Sequence, residues 1–156
     1  MKLGNILKMR GGTPETGRPV RFQLRQKQKD GSFHRIWAEA QLLPVSVSEV
    51  ADVHAEVADY LAEHPSANKE DETNIRFLAK ALHDSAKNSL KFVDSDQIEE
   101  LSKSLVMQQV AWLIVQYNIM LREQYPECWA TVEEREGAEQ QAENFTDEDP
   151  ELLSES

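Results

Sequence analysis

A long helical pattern in the last third of the chain constrains the fold more than any other feature. Helical spacing of apolar residues continues to Tyr125 just before Pro126, and Ser95 or Asp96 with Glu99 suits the first turn of a helix. One apolar stripe consists of Ile98, Leu101, Leu105, Trp112, Val115 and Ile119, and we expect Trp112 to be a core residue. A second stripe, the candidate partner-binding surface, consists of Val106, Val110, Leu113, Tyr117 and Leu121. The pattern predicts one unbroken helix that is either the central core helix or a surface for a partner.

An alternating segment nearer the start of the chain predicts a β-hairpin. Apolar and polar residues alternate over residues 20–26, which is typical of a half-buried strand. Asp30 and Gly31 then favour a tight turn, and residues 33–43 alternate again as a second strand. Residues 1–19 have turn composition without periodicity. They predict a loose basic arm before the hairpin.

Two shorter helices are predicted between the hairpin and the long helix. Ser48 and Glu49 suit the start of the first, which His64 and Pro65 end. Residues 70–85 have the apolar spacing of a second helix. The predicted fold class is therefore mainly α (α+β), with an N-terminal β-hairpin packed on a bundle of about three helices.

Length and the distribution of charge predict the domain organisation. A chain of 156 residues that is 40% hydrophobic can bury one core. The net charge of −11 is uneven, since residues 1–43 carry nine cations and three carboxylates, whereas residues 132–156 carry ten carboxylates and one arginine. A segment with this much charge has too few apolar residues to bury, so it cannot offset the conformational entropy cost of folding, about 1–2 kcal/mol per residue. We predict a flexible basic arm at 1–19, a single domain at 20–131 and a disordered acidic tail at 132–156.

The sequence contains no pattern typical of a catalytic, cofactor or metal site. Glycine-rich phosphate and dinucleotide motifs and the GxSxG nucleophile elbow do not occur. The four histidines never fall four residues apart, and a single cysteine cannot form a CxxC pair. We interpret Cys128 as a buried small residue, because no histidine lies near it in sequence. The sequence predicts a protein that is not an enzyme and has no cofactor or metal ion.

The compartment follows from cysteine use and hydropathy. One cysteine cannot form an internal disulfide, and the start of the sequence lacks the apolar stretch of a secretion signal. The longest apolar run, residues 110–115, is six residues long, against the roughly 20 needed to span a bilayer. We therefore expect a cytosolic protein without a membrane helix.

Basic and aromatic residues of the hairpin suggest an alternative surface for single-stranded nucleic acid, where stacking combines with phosphate contacts. The residues concerned are Phe22, Arg25, Phe33, Arg35 and Trp37. The competing interpretation is that these rings cover the helices. Residues 44–156 carry a net charge of −17 and would repel a polyanion. We therefore expect the rings to pack inward and the chain to have no nucleic-acid partner.

Several segments follow one another in an order that has a known counterpart. They are Val20-Arg-Phe-Gln-Leu-Arg25 through Ile36-Trp-Ala-Glu-Ala40, then Ile75-Arg-Phe-Leu-Ala-Lys-Ala-Leu82, then Phe92-Val-Asp-Ser-Asp-Gln-Ile-Glu-Glu-Leu101 leading into the long apolar helix, and the acidic end. Over roughly residues 20–129 this arrangement resembles the tail assembly chaperones of long-tailed bacteriophages. In that family the protein binds the tape measure protein and keeps its long apolar helices soluble while tail tube subunits polymerise around it. It leaves before the tail is mature.

The resemblance implies a non-catalytic chaperone in the host cell cytoplasm, with the tape measure protein and the tail tube protein as partners. A homo-oligomer is compatible with the sequence. Physically, such a chaperone needs an exposed apolar groove for client helices and a charged, flexible segment that keeps the complex soluble.

Two other functions stay open as alternatives. One is an acidic DNA mimic that inhibits a host nuclease, which would spread carboxylates over a rigid helical surface. Here the densest acid lies in residues 132–156, where we predict no rigid surface. The other is a structural neck or tail-completion protein of the virion. The chaperone is our preferred hypothesis.

Overall fold

The computed structural model describes residues 2–85 and 97–128 and has an α+β fold. The elements in chain order are β1 (Arg18–Lys27), β2 (Phe33–Leu42), α1 (Val47–Glu63), α2 (Lys69–Ala81), β3 (Leu82–Asp84), α3 (Ile98–Ser104) and α4 (Met107–Gln124), with single 3-10 turns at Leu3–Asn5 and Pro126–Cys128. The three strands form one antiparallel sheet in the order β1-β2-β3. The predicted acidic tail, residues 132–156, lies outside the described residues.

The predicted hairpin is confirmed, with β1 and β2 paired over their whole length from Arg18↔Leu42 to Lys27↔Phe33. Gly31 has φ +89°, a conformation that glycine adopts without a steric penalty. The Asp30 carboxylate accepts hydrogen bonds from Ser32 N at 2.9 Å and Ser32 Oγ at 2.6 Å. These bonds favour the charged carboxylate and lower the pKa of Asp30, a fully exposed group.

One face of the hairpin enters the core. Alternate residues on both strands are buried, as the period of two predicts: Val20, Phe22, Ala38, Ala40 and Leu42. Burial stops toward the turn, where Leu24 is half-buried and Ile36 is exposed. The hairpin therefore carries side chains on both faces at its turn end that do not contribute to the core.

The predicted second helix was too long at its end, because α2 stops at Ala81 and the chain continues as β3. Leu82 takes an extended backbone and pairs with Leu42, and both side chains are fully buried. Leu43 N also donates to Ala81 O at 2.9 Å. Sheet hydrogen bonds and the burial of two leucines together outweigh another helical turn.

Helix α1 begins two residues earlier than predicted, since Ser46 is its N-cap. Ser46 Oγ accepts from Glu49 N at 3.2 Å, and the Glu49 carboxylate accepts from Ser46 N at 3.3 Å, which forms a capping box. Between α1 and α2, Lys80 Nζ donates to Glu56 Oε1 at 3.0 Å. Arg76 forms an ion pair with Glu72 one helical turn earlier and stacks over the Tyr60 ring. The cations of α2 are buried only where a carboxylate or a ring accompanies them.

The single long helix predicted over residues 95–125 is wrong, because the chain breaks into α3 and α4 with axes 110° apart. The break lies at Leu105, which has the extended backbone angles φ −109° and ψ 140° and a buried side chain. The amide N–H of Val106 donates to Gln109 Oε1 at 3.0 Å. This bond satisfies one of the amides that a new helix leaves without a partner in its first turn. Ser95 and Asp96, the predicted caps, lie outside the described residues.

The core combines residues from both strands of the hairpin, from β3 and from all four helices. Its largest fully buried side chains are Leu42, Leu78, Leu82, Leu113, Met120, Val53 and Val57. Among the described residues, those up to Met120 belong to one compact unit and residues 121–128, with the turn Pro126–Cys128, belong to a second. None of the individual helices within residues 2–85 and 97–128 is both long and apolar enough to cross a membrane; α3 and α4 pass that test only as a bent pair.

Candidate protein-binding surface on the last helix

The orientation of α4 is fixed by polar contacts that join it to the hairpin. Gln109 Nε2 donates to the main-chain oxygen of Gln23 at 2.6 Å, and Arg18 Nε donates to Gln116 Oε1 at 2.9 Å. Gln109 and Gln116 are seven residues apart and therefore lie on the same side of the helix. This side faces β1.

A buried tyrosine anchors α4 to the connection between β2 and α1. The Val45 amide N–H donates to the Tyr117 hydroxyl oxygen at 3.0 Å. The Tyr117 ring meets Phe77 edge to face, with ring centroids 4.8 Å apart. Leu113, one turn earlier, is fully buried. The inward side of α4 is thus set by both apolar and polar contacts.

The side of α4 turned away from Leu113 and Tyr117 presents apolar residues to solvent, and Trp112 lies at its edge beside Gln109 and Gln116. Trp112 is 41% exposed, Val115 53% and Met107 61%. Ala111 is also exposed, and Ile119 is half-buried. We call this set the outer stripe of α4: Met107, Ala111, Trp112, Val115 and Ile119. It spans thirteen residues, or about 18 Å along the helix axis.

The outer stripe lies in a segment without charge. From Leu105 to Leu121 there is no Asp, Glu, Lys, Arg or His, although the chain as a whole has a net charge of −11. A surface with neither titratable nor nucleophilic side chains has no means for acid–base or covalent catalysis. It can bury apolar area against another protein, which is how an amphipathic helix is recognised.

The two predicted stripes have exchanged roles along α4. Trp112, predicted to lie in the core, is exposed, which corrects that prediction, and Val115 of the same stripe is exposed as well. In the candidate partner-binding stripe, Val106 is exposed and Val110 and Leu121 are half-buried, whereas Leu113 and Tyr117 are packed in the core and not presented to solvent. The break at Leu105 explains the difference. A single helix continued across this break would give α4 the same buried face as α3, whereas α4 has its own orientation.

The hairpin rings also depart in part from the prediction that they cover the helices. Phe22 is buried, but Phe33 and Trp37 are 46% and 54% exposed on the outer face of the hairpin. The Arg25 guanidinium lies 3.5 Å from the centre of the Phe33 ring, and that of Arg21 lies 4.2 Å from the Trp37 ring. These rings are therefore covered by arginines and not by helices.

Other chemistry-bearing residues do not assemble into a site in the described part of the chain. Cys128 is exposed, so its predicted burial is wrong. His64 stacks on Tyr60 at a centroid distance of 4.1 Å, one turn earlier in the same helix. Within residues 2–85 and 97–128, no three side chains of His, Cys, Asp or Glu are placed to hold a metal ion.

Comparison of the chain with protein-family models, with curated proteins and with solved structures gives no match.

Proposed function

We propose that this chain is a non-catalytic protein-binding protein whose outer stripe of α4 receives an apolar helix of a client. The observation that carries the proposal is the exposure of Trp112 and Val115 within an uncharged segment of a strongly acidic chain. Contiguous exposed apolar residues typically mark interaction surfaces. The contacts of the inward side of α4 with the hairpin and with Phe77 fix the helix so that the outer stripe is exposed in the absence of a partner.

The client class that we propose is the tape measure protein of a long-tailed bacteriophage, with the chain acting as a tail assembly chaperone in the host cell cytoplasm. The resemblance of segment order supports this assignment. The chemistry of the outer stripe supports it further, since long apolar helices need a partner that covers them without charge. Release would follow from competition by the tail tube protein.

The energy available at the outer stripe suits a reversible complex. Covering the exposed part of Trp112 would remove roughly 100 Å² of surface from water, worth about 2.5 kcal/mol. Val115 and Met107 would each add about 1–2 kcal/mol. Association also costs several kcal/mol of rigid-body freedom, so a single client helix would bind with moderate affinity.

The deciding experiment is co-expression of the tape measure protein with matched variants of this chain. Val115→Glu places a carboxylate in the outer stripe, whereas Val47→Glu makes the same substitution at a residue that is 90% exposed on α1. Both sites are exposed, so stability should change by no more than about 0.5 kcal/mol in either variant. We expect wild type and Val47→Glu to keep the client in the soluble fraction and Val115→Glu to lose it. Equal solubility with both variants would contradict the assignment of the surface.

Salt dependence separates this function from the DNA mimic. Burial of apolar side chains is little affected by screening, so client binding should change slightly between low and high salt. A DNA mimic would lose affinity for a basic nuclease groove steeply. Two carboxylates of α1 that a DNA mimic could present already have structural roles, Glu49 in the cap and Glu56 with Lys80. Nuclease inhibition that collapses with salt, together with an insoluble tape measure protein, would overturn the chaperone proposal.

The remaining alternative, a neck or tail-completion protein, differs in the fate of the chain. A chaperone is absent from purified mature particles, whereas a structural component stays at fixed stoichiometry. Mass spectrometry of purified virions distinguishes the two, and stoichiometric retention would favour the structural role.

A further inference from the structure

We infer that the outer face of the hairpin is a second binding surface, which takes an extended acidic segment of a partner protein through its carboxylates. This surface consists of Arg21, Arg25 and Lys27 on β1 and of Phe33, Arg35 and Trp37 on β2. The inference does not depend on the outer stripe of α4 or on the identity of the client.

The cationic side chains of this surface lack close carboxylate partners among the described residues. Arg25 lies directly opposite Arg35 in the strand register, and like charges in such pairs are destabilising. Among the described residues, Arg25, Lys27 and Arg35 form no ion pair, and Arg21 has only a long contact of 3.7 Å with Glu39. An anion bound between Arg25 and Arg35 would turn this repulsion into attraction.

Two guanidinium groups of this surface are held in place by aromatic rings. The guanidinium groups of Arg25 and Arg21 lie over the Phe33 and Trp37 rings. A guanidinium that stacks on a ring keeps its N–H edge available for an acceptor. A stacked arginine is already restrained, so it loses less side-chain entropy than a free arginine when it binds a carboxylate through two parallel hydrogen bonds.

The shape of this surface also suits a peptide. Beside the hairpin lie two cavities of about 560 Å³ and 470 Å³, and Arg25 and Phe33 line both of them. Lys27 and Lys103 line the first, and Arg35 and Val106 line the second. Glu100 also lines the first cavity and offsets part of its positive charge, whereas the second is lined by cationic, apolar and amide side chains without a carboxylate. The second cavity therefore matches a peptide that carries both carboxylates and apolar side chains.

The same observations favour a peptide over single-stranded nucleic acid. Base stacking needs open ring faces, and here each exposed ring already carries a guanidinium on one face. A chain with a net charge of −11 also repels a dense polyphosphate more than a short peptide with a few carboxylates. Nucleic-acid binding is therefore the competing outcome of the test.

The test measures fluorescence anisotropy of a labelled ten-residue peptide in which glutamate alternates with leucine, bound to the full-length chain. The double variant Arg25→Gln with Arg35→Gln should weaken binding about tenfold or more, because it removes two charge-assisted contacts. The matched control, Arg10→Gln with Lys69→Gln, removes the same charge from exposed residues elsewhere and should change affinity less than about twofold. Phe33→Leu, which removes the ring but not the charge, should weaken binding about threefold.

Three outcomes would overturn the inference. One is the absence of peptide binding by wild type, and another is equal weakening by the two double variants, which would mean a general charge effect. The third is tighter binding of a labelled dT oligonucleotide with the same number of negative charges, which would assign the surface to nucleic acid. Arg25→Lys with Arg35→Lys keeps the charge and should bind between wild type and the glutamine variant, which checks the role of the guanidinium even if the glutamine variant misfolds.

Discussion

Replacing Tyr117 by phenylalanine tests whether α4 is anchored in the core as described. The substitution keeps the ring that meets Phe77 edge to face and removes only the hydroxyl that accepts from Val45 N at 3.0 Å. The site is largely buried, since Tyr117 is 6% exposed, so the loss of this acceptor should cost about 1–2 kcal/mol. For a domain of this size that corresponds to a fall in melting temperature of roughly 3–7 °C.

Tyr117→Leu extends the same test, because it removes the ring as well as the hydroxyl. The lost aromatic pair and the smaller buried side chain together add about 1–3 kcal/mol to the cost of the missing hydrogen bond. Urea denaturation followed by circular dichroism gives both differences in the free energy of unfolding. Tyr125→Phe is the matched control, since Tyr125 is 38% exposed and its replacement should change stability little.

The informative refutation would be a Tyr117→Phe protein as stable as wild type that no longer binds its client. Tyr117 would then contact the partner, as the apolar stripe in the sequence predicts, and its burial against Phe77 would belong to the unbound form alone. A stable variant with normal client binding would instead show that the hydroxyl hydrogen bond does not help to anchor α4.

Two further substitutions test the packing of the hairpin and of the helix pair. Gly17→Ala should destabilise the fold by about 1–2 kcal/mol, because a Cβ at this position would lie 2.8 Å from Gln41 Cβ. The control Gly12→Ala has open space around the new Cβ and should be neutral. Thermal melts compare the two variants directly. Lys80→Ala should cost about 2 kcal/mol, because it leaves Glu56 partly buried without its cation, and a loss below about 0.5 kcal/mol in urea denaturation would show that the pair contributes no more than an exposed ion pair.

The parts of the fold that follow from local pattern could be predicted from the sequence. The hairpin has a strict period of two and a turn that needs glycine at Gly31, and these are properties of adjacent residues. The first helix was predicted for the same reason, with its start displaced to Ser46. Strand β3 could not be predicted, because three residues carry no period and Leu82 is extended only through its pairing with Leu42.

The candidate surface was misplaced for a related reason. The break between α3 and α4 depends on the burial of Leu105 and on the contact of Gln109 with Gln23, 86 residues earlier in the chain. Nothing in the local spacing of apolar residues marks it, since both halves of the segment keep a helical period. The only indication in the sequence is the pair Gln109 and Gln116. Polar side chains on a packed side of a helix need hydrogen-bond partners, which a purely apolar core does not offer.

The pairing of Leu42 with Leu82 has a consequence for the order of folding. Forty residues separate the two, and all of α1 and α2 lies between them, so the central strand cannot complete its sheet until the helix pair has been synthesised. Helix α4, whose Gln116 binds Arg18 across 98 residues, arrives later still. At about 5–20 residues per second, a nascent chain would wait a few seconds between completing β3 and acquiring α4, which supplies the buried core residues Leu113, Tyr117 and Met120. We therefore expect the hairpin and the first two helices to spend that interval with part of their apolar surface uncovered, which makes synthesis the stage at which this protein itself is most prone to aggregate.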